Sequence, residues 1–133
     1  MTSAPPLQPD ATSRQHAGKR ADLFGRSAED RVAQTYLRRG ADLLARRWRG
    51  SAGEIDLIFR EAGAVVFVEV KAAKSINAAI ASLRSAQMRR IHAAAEEFLA
   101  TEPSGSLTDV RFDLACCDQY GRTELIENAF GHF

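Results

Sequence analysis

The segment GEIDLIFREAGAVVFVEVK, residues 53–71, constrains the fold more than any other part of the chain. It has the pattern of two β-strands, and Ala62-Gly63 between them predicts a tight hairpin turn. Both strands are apolar enough to be covered on two sides, as in the middle of a sheet. With Glu61 opposite Ala64, the register predicts three apolar pairs across one face: Ile55 with Val70, Leu57 with Val68, and Phe59 with Val66.

The same register brings four charged residues together on the opposite face. It places Asp56 opposite Glu69 and Glu54 opposite Lys71, and directly opposed side chains share a face. Opposed carboxylates repel, so we expect a cation between Asp56 and Glu69. Lys71 is one candidate for that cation and a divalent metal is the other.

The rest of the chain predicts one α/β domain with a mixed sheet, because the elements follow the order helix, three strands, helix, two strands. The first helix is predicted to begin at an N-cap, Ser27, and to end at Gly40, with an inward stripe of Val32, Ala33, Tyr36 and Leu37. The remaining elements are predicted at residues 41–50 (strand), 77–100 (helix, interrupted near 82–85), 110–117 (strand) and 122–130 (strand).

Composition indicates a soluble protein of the reducing cytoplasm. Residues 1–20, rich in Pro, Ser, Gln and Ala, predict a disordered tail before a single domain at 21–133. The sequence holds no apolar run of the ~20 residues that cross a bilayer, and its first residues lack the apolar core of a secretory signal. Cys116 and Cys117 are neighbours in a predicted strand, so they point to opposite faces and form no disulfide framework.

Basic residues are concentrated in the first two thirds of the chain. Residues 14–60 hold 11 basic and 6 acidic residues, residues 61–95 hold 5 and 2, and residues 96–133 hold 2 and 8. The basic part is able to present a surface for phosphate groups, and the acidic C-terminal part is not. This asymmetry favours nucleic acid as a partner.

Two polar residues interrupt the apolar stripes of the predicted helices. Glu29 precedes Val32 and Ala33 by three and four residues, and Gln87 lies four residues after Leu83. Glu29 has a simple alternative explanation as a first-turn acid favoured by the helix dipole, and Gln87 as a boundary residue bonded to backbone. Their occurrence beside an acidic hairpin face favours a functional role for both.

The pattern Ile55-Asp56 followed by Glu69-Val70-Lys71 resembles the core motif of the restriction-endonuclease-like, or PD-(D/E)XK, nucleases. The order of motifs over residues 25–130 resembles the YraN family of small bacterial proteins, which are distantly similar to Holliday-junction resolvases. The resemblance implies a restriction-endonuclease-like mixed sheet of about five strands flanked by helices. The chain departs from the family pattern in having Ile55 in place of a proline. It also has Ala72 and Ala73 where basic or hydroxyl residues are common.

The resemblance implies a metal-dependent nuclease acting on DNA, with structured or branched DNA as a candidate substrate. Asp56 and Glu69 would bind Mg²⁺ or Mn²⁺ directly, with the Val70 carbonyl as a third ligand. Lys71 would act on the attacking water or on the charge of the transition state. Glu29 would be an additional metal ligand. Glu54 and Gln87 would contact these ligands or the substrate.

Two other hypotheses remain open at this stage. The chain would be a nucleic-acid-binding or interaction module that keeps the nuclease fold without cleavage, or the four charges would be an ion-pair cluster that stabilises the hairpin. A set of two acids and one lysine favours catalysis, because a non-catalytic descendant has no need of all three. The sequence predicts no oligomeric state.

Overall fold

The computed structural model describes residues 11–132, with side chains described from Gly25 onward. Its helices and strands form one succession along the chain. They are α1 (Ala11–Arg38), β1 (Asp42–Arg49), β2 (Glu54–Glu61), β3 (Ala64–Ala72), α2 (Ile76–Ala81), α3 (Ser85–Leu99), β4 (Val110–Cys117) and β5 (Thr123–Ile126).

The five strands form one mixed sheet in the order β1-β2-β3-β4-β5. The pair β3 and β4 is parallel, and the other neighbours are antiparallel. Helix α1 covers one face of the sheet, and α2 and α3 cover the other, so the strands have a packed apolar layer on each side. This arrangement confirms the predicted α/β class and a restriction-endonuclease-like sheet flanked by helices.

The central hairpin has the predicted register near its turn. Ladder pairs run from Glu61–Ala64 to Leu57–Val68. Ala62 and Gly63 have φ angles of 52° and 86°, and two positive φ values in a two-residue loop are typical of a type I′ turn, whose twist matches that of the strands.

Near Arg47, strands β1 and β2 both turn over, so that side chains expected on the face under α1 lie on the face under α3 instead. The sequence did not predict this change, which we call the face exchange. The ladder passes from Arg46–Leu57 to Trp48–Ile55, and Arg47 between them has a φ of 47°. Leu57 packs under α1, whereas Ile55 joins the core under α3. The prediction that Ile55 shares the layer of Leu57 is therefore wrong, because both strands change faces between the pairs Arg46–Leu57 and Trp48–Ile55.

Helix α1 is longer than predicted. Its described part runs from Ala11, so Ser27 lies inside it and is not the N-cap; the Ser27 hydroxyl accepts a hydrogen bond from Arg31. Residues 1–10 of the predicted tail lie outside the described residues, and residues 11–20 belong to α1. The stripe of Val32, Ala33 and Tyr36 is buried as predicted, whereas Leu37 is exposed.

Other parts of the fold agree with the sequence pattern. The interruption near residues 82–85 separates α2 from α3, and β4 has the predicted bounds. Cys116 and Cys117 are buried free thiols on opposite faces of β4. Strand β5 ends at Ile126 and is shorter than predicted. Within the described residues, every helix is too short or too polar to cross a membrane.

A buried polar network joins α1 to β4 near the hairpin turn. Asp113 is fully buried, and its carboxylate accepts hydrogen bonds from the Tyr36 hydroxyl at 2.6 Å and from Arg111 at 2.8 and 2.9 Å. The Asn128 backbone N–H donates a further bond at 2.9 Å. The burial of this carboxylate is compensated by a complete set of donors, as a buried charge requires.

We predict that Asp113→Ala lowers the free energy of unfolding by about 3–5 kcal/mol, because it breaks the ion pair of a fully buried carboxylate with Arg111 and leaves the buried Tyr36 hydroxyl without its acceptor. Urea denaturation measures the loss. Glu127→Ala is the control, because Glu127 pairs with Arg39 at 2.7 Å but is half exposed; it should cost about 0–1 kcal/mol. Equal losses in the two variants would contradict the role given to Asp113.

Candidate active site

The site forms where β2 and β3 cease to pair. The ladder between these strands ends at Leu57–Val68. Beyond this point the Asp56 carboxylate accepts a hydrogen bond from the Val70 backbone N–H at 2.8 Å. A side chain thus takes the place of a backbone acceptor, which satisfies the Val70 donor and fixes the position of the Asp56 carboxylate within the sheet.

Glu69 lies beside Asp56 and is held by two further side chains. The Asp56 and Glu69 carboxyl groups are in hydrogen-bonding contact with each other. Glu69 Oε2 accepts a hydrogen bond from the Gln87 amide at 2.6 Å and lies 3.1 Å from Lys71 Nζ. The structure therefore brings together four of the predicted site residues: Asp56, Glu69, Lys71 and Gln87.

This environment favours a proton on the carboxyl pair. Burial, the Asp56 charge and contact with the Asp56 carboxyl together raise the pKa of Glu69 to about 8, although Lys71 opposes the shift. Burial also raises the pKa of Asp56, against the opposing effect of the Val70 N–H. Two carboxyl groups that share one buried place cannot both ionise readily. Without another cation, the pair holds one proton over much of the neutral range.

Glu29 extends from α1 toward β1, and its predicted role as a metal ligand stays a prediction. Its side chain is only 15% exposed, and Arg47 Nε lies 3.1 Å from its Oε1. Burial raises the pKa of Glu29, Arg47 lowers it, and the Asp56 charge raises it further. Glu29 thus forms an ion pair with Arg47 and interacts electrostatically with Asp56.

Glu54 lies at the margin of the site. It is exposed, and its carboxylate lies 3.3 Å from Arg49. Its charge raises the pKa of both Asp56 and Glu29. The predicted contact of Glu54 with the metal ligands or with substrate stays a prediction.

The described residues contain no group of three or more histidine, cysteine, aspartate or glutamate side chains that converges tightly enough to hold a metal ion. A cation at this place would therefore rely on the Asp56 and Glu69 carboxylates, a backbone carbonyl and water. Mg²⁺ fits such a site, because it binds hard oxygen ligands and keeps several of its waters.

Sequence reasoning missed Arg47 as a residue of this site. Its neighbour Trp48 packs against Phe98 in the core, with ring centroids 5.5 Å apart. The face exchange directs Trp48 inward and places Arg47 beside Glu29. No sequence pattern predicts a left-handed arginine within a strand, so the position of Arg47 could be found only from the backbone conformation.

A second missed residue, Glu97, fixes the loop that leads into β2. Its carboxylate accepts hydrogen bonds from the Ser51 backbone N–H and hydroxyl and from the Ala52 N–H, at 2.9–3.3 Å. A side chain at Gly50 would clash, because its Cβ would lie 2.9 Å from Glu97 Oε2 and from the Trp48 ring. The loop before Glu54 and Asp56 is therefore tied to α3.

A profile of the family described as "Uncharacterised protein family UPF0102" matches residues 28–117, which include all the site residues above. The chain belongs to the UPF0102 family. This result confirms the resemblance to YraN proteins that the order of motifs indicated.

Relatives of this UPF0102 chain match it over most of their length. A UPF0102 protein of Ruegeria pomeroyi is 56% identical over 115 residues, which are 86% of this chain and 94% of the relative. One from Cereibacter sphaeroides is 58% identical over 114 residues, 86% of this chain and 97% of the relative. One from a further Ruegeria strain is 44% identical over 115 residues, 86% and 93% of the two chains.

The raised pKa of Glu69 predicts a pH dependence of stability in metal-free protein. The folded state keeps a proton that the unfolded state loses near pH 4.5, so stability should fall as pH rises from about 4.5 to about 8. Each pKa unit corresponds to about 1.4 kcal/mol, so the loss is of the order of a few kcal/mol. Glu69→Gln should flatten this part of the curve.

Urea denaturation in the presence of a chelator, repeated across this pH range, measures the effect. The difference between wild type and Glu69→Gln isolates Glu69 from the other titrating groups. Curves for the two proteins that run parallel through the range would show that Glu69 does not hold the proton.

Proposed function

We propose that this protein is a metal-dependent nuclease that hydrolyses phosphodiester bonds in DNA, with structured or branched DNA as the candidate substrate. The observation that carries the proposal is the contact between the Asp56 and Glu69 carboxyl groups with Lys71 beside them. A buried acid pair and an adjacent ammonium group are costly to maintain for stability alone. They are well suited to holding a divalent cation next to a phosphate.

The donor set fits Mg²⁺ or Mn²⁺. Asp56, Glu69 and the Val70 carbonyl would hold the cation through hard oxygen atoms, and Glu29 would add a ligand directly or through water. When bound, such a cation stabilises negative charge on the phosphoryl oxygens and lowers the pKa of the attacking water. The raised pKa of Glu69 supports this assignment, because Lys71 alone does not neutralise the two carboxylates and a further cation would be favoured beside them.

The neighbouring side chains have separable roles in this proposal. Gln87 donates to Glu69 at 2.6 Å and so restrains its carboxylate. Lys71 is half-buried beside Glu69 and would orient the attacking water or stabilise the charged transition state. Glu54, at the exposed margin, would contact the substrate or water around the cation.

The choice of DNA as substrate rests on charge and on the family resemblance. The basic first two thirds of the chain contribute α1, β1 and α3, which surround the site, whereas the acidic C-terminal third contributes β4 and β5. Ala72 and Ala73 give the end of β3 little charge of its own. Phosphate contacts would therefore come from the flanking elements.

The alternative function is a nucleic-acid-binding module without cleavage. The pairing of Glu29 with Arg47 at 3.1 Å favours it, because an arginine already neutralises the acid that would complete the ligand set. The two functions differ in their need for a cation at Asp56 and Glu69. They also differ in the consequence of removing Lys71.

The proposal predicts that Mg²⁺ or Mn²⁺ raises the melting temperature. A cation that binds only the folded state stabilises it by about 1.4 kcal/mol at tenfold excess over Kd. Asp56→Asn and Glu69→Gln should abolish this response and slightly stabilise the metal-free protein, because each removes repulsion within the acid pair. Thermal denaturation with and without the cation measures both effects.

Asp30→Asn is the matched control for the metal response. Asp30 is the neighbour of Glu29 on α1 but is 70% exposed and paired with Arg46 at 3.0 Å. This variant should keep the response to the cation. Identical melting of wild type, Asp56→Asn and Glu69→Gln with and without the cation would argue against a metal site.

Lys71→Ala separates the enzyme from the binding module. In the nuclease, cleavage should fall by orders of magnitude, while cation binding is unchanged or slightly tighter because a competing charge is gone. Binding of DNA should weaken by only about one phosphate contact's worth of salt dependence. The assay uses a panel of duplex, nicked, flapped and four-way-junction DNA with Mg²⁺ or Mn²⁺.

A wild-type protein that cuts none of these substrates contradicts the nuclease proposal. If Lys71→Ala then changes only DNA affinity, the binding module is supported. If it changes only the melting temperature, the charges are a structural cluster. Each of the three hypotheses thus has its own result.

A further inference from the structure

We propose that Arg47 binds the phosphate group of the substrate. This inference rests on the proposed function, because it assumes that a phosphodiester lies over the Asp56 and Glu69 carboxylates. Three observations support it: the backbone of Arg47, the place of its side chain and the contrast with its neighbour Arg46.

The backbone of Arg47 is strained. Its φ of 47° lies in the left-handed region, although the residue is inside strand β1. Residues other than Gly, Asn and Asp adopt this region at a cost in free energy. Such outliers persist only where the surroundings enforce them, and they cluster at functional sites.

The face exchange of β1 and β2 accounts for the left-handed backbone at residue 47, but it does not account for the presence of an arginine side chain there. The exchange brings Trp48 and Ile55 into the core under α3 and leaves Asp56 at the crossing point. Only a left-handed backbone is needed for this. Gly or Asn would provide that backbone with less strain, so the side chain of Arg47 requires a reason of its own.

The side chain of Arg47 approaches the acidic site from β1. Its Nε donates a hydrogen bond to Glu29 at 3.1 Å, and Glu29 in turn is repelled by Asp56. Lys71 approaches from β3 and contacts Glu69 at 3.1 Å. Each of two acids near the site, Glu29 and Glu69, therefore has a cation of its own.

This arrangement suits a phosphodiester held in the middle. Its non-bridging oxygens carry the negative charge, and a guanidinium group binds such oxygens through two parallel N–H donors. The Arg47 side chain is 41% exposed, so a ligand arriving from solvent can reach it. Charge that develops on the phosphoryl oxygens would then be stabilised by Arg47 in addition to Lys71.

Arg46 provides the contrast and the control. It also pairs with an acid of α1, since its Nη1 lies 3.0 Å from Asp30, and it is 43% exposed. Asp30, however, is 70% exposed, whereas Glu29 is 15% exposed and interacts with Asp56. The two arginines are thus alike in charge, exposure and helix partner, and they differ in their relation to the site.

The test compares Arg47→Asn with Arg46→Asn. Asn tolerates the left-handed backbone, so Arg47→Asn should preserve the fold, with at most a small fall in the melting temperature from the loss of the ion pair with Glu29. DNA affinity is measured by fluorescence anisotropy over a range of salt, with labelled duplex and four-way-junction DNA and with Ca²⁺ in place of Mg²⁺. For Arg47→Asn, the slope of log affinity against log salt should become shallower by about 0.9, the value for one phosphate contact.

Arg46→Asn should leave the slope close to that of wild type. Arg47→Lys should restore the slope but not the full affinity, because it returns the charge without the paired donors. Equal slopes for the two asparagine variants would overturn the inference, as would a wild-type protein that binds no DNA. A fall in the melting temperature of Arg47→Asn with unchanged DNA binding would also overturn it, because Arg47 would then serve only to neutralise Glu29.

Failure of the proposed function has a different signature. Absence of cleavage and of any thermal response to Mg²⁺ or Mn²⁺ counts against the nuclease. The salt slopes of the two asparagine variants decide the role of Arg47 whether or not the protein cleaves.

Discussion

The hydrogen bond from the Val70 N–H to the Asp56 carboxylate is the interaction on which the site depends. It forms at the place where two central strands separate, and it satisfies a backbone donor that would cost about 1–3 kcal/mol if buried unpaired. It also prevents Asp56 from turning to water. Glu69, which precedes Val70, is thereby held against Asp56 in an environment that burial makes unfavourable for two negative charges.

The charge of the site is balanced by elements from both sides of the sheet. Lys71 on β3 and Gln87 on α3 act on Glu69, while Arg47 on β1 acts on Glu29 of α1. Burial raises the pKa of both acids of the pair, which favours a proton between them when no metal is bound. Binding of a divalent metal would then be an exchange of the metal for that proton, so its affinity would rise with pH.

Much of the candidate site could be predicted from the sequence, because it depends on the regular spacing of side chains along strands and helices. Strand alternation predicted the hairpin register near the turn and the proximity of Asp56 to Glu69. The ladder ends at Leu57–Val68, however, and does not include the predicted pairs of Asp56 with Glu69 and of Glu54 with Lys71. Helix period identified Glu29 and Gln87 as polar residues on apolar faces. The face exchange at Arg47 could not be predicted, since it requires a backbone conformation that arginine rarely adopts. The hydrogen bond between Tyr36 and Asp113 could not be predicted either, because the two residues are 77 positions apart and no local sequence pattern links them.

The central claim is that the Asp56 and Glu69 pair exchanges its proton for a divalent cation. The most direct measurement is a crystal structure with Mn²⁺ at a pH above 8, where Glu69 loses its proton, with the metal located by anomalous scattering. The account predicts one Mn²⁺ bound by the Asp56 and Glu69 carboxylates and the Val70 carbonyl. The absence of Mn²⁺ there, with the two carboxyl groups still in contact, would contradict it.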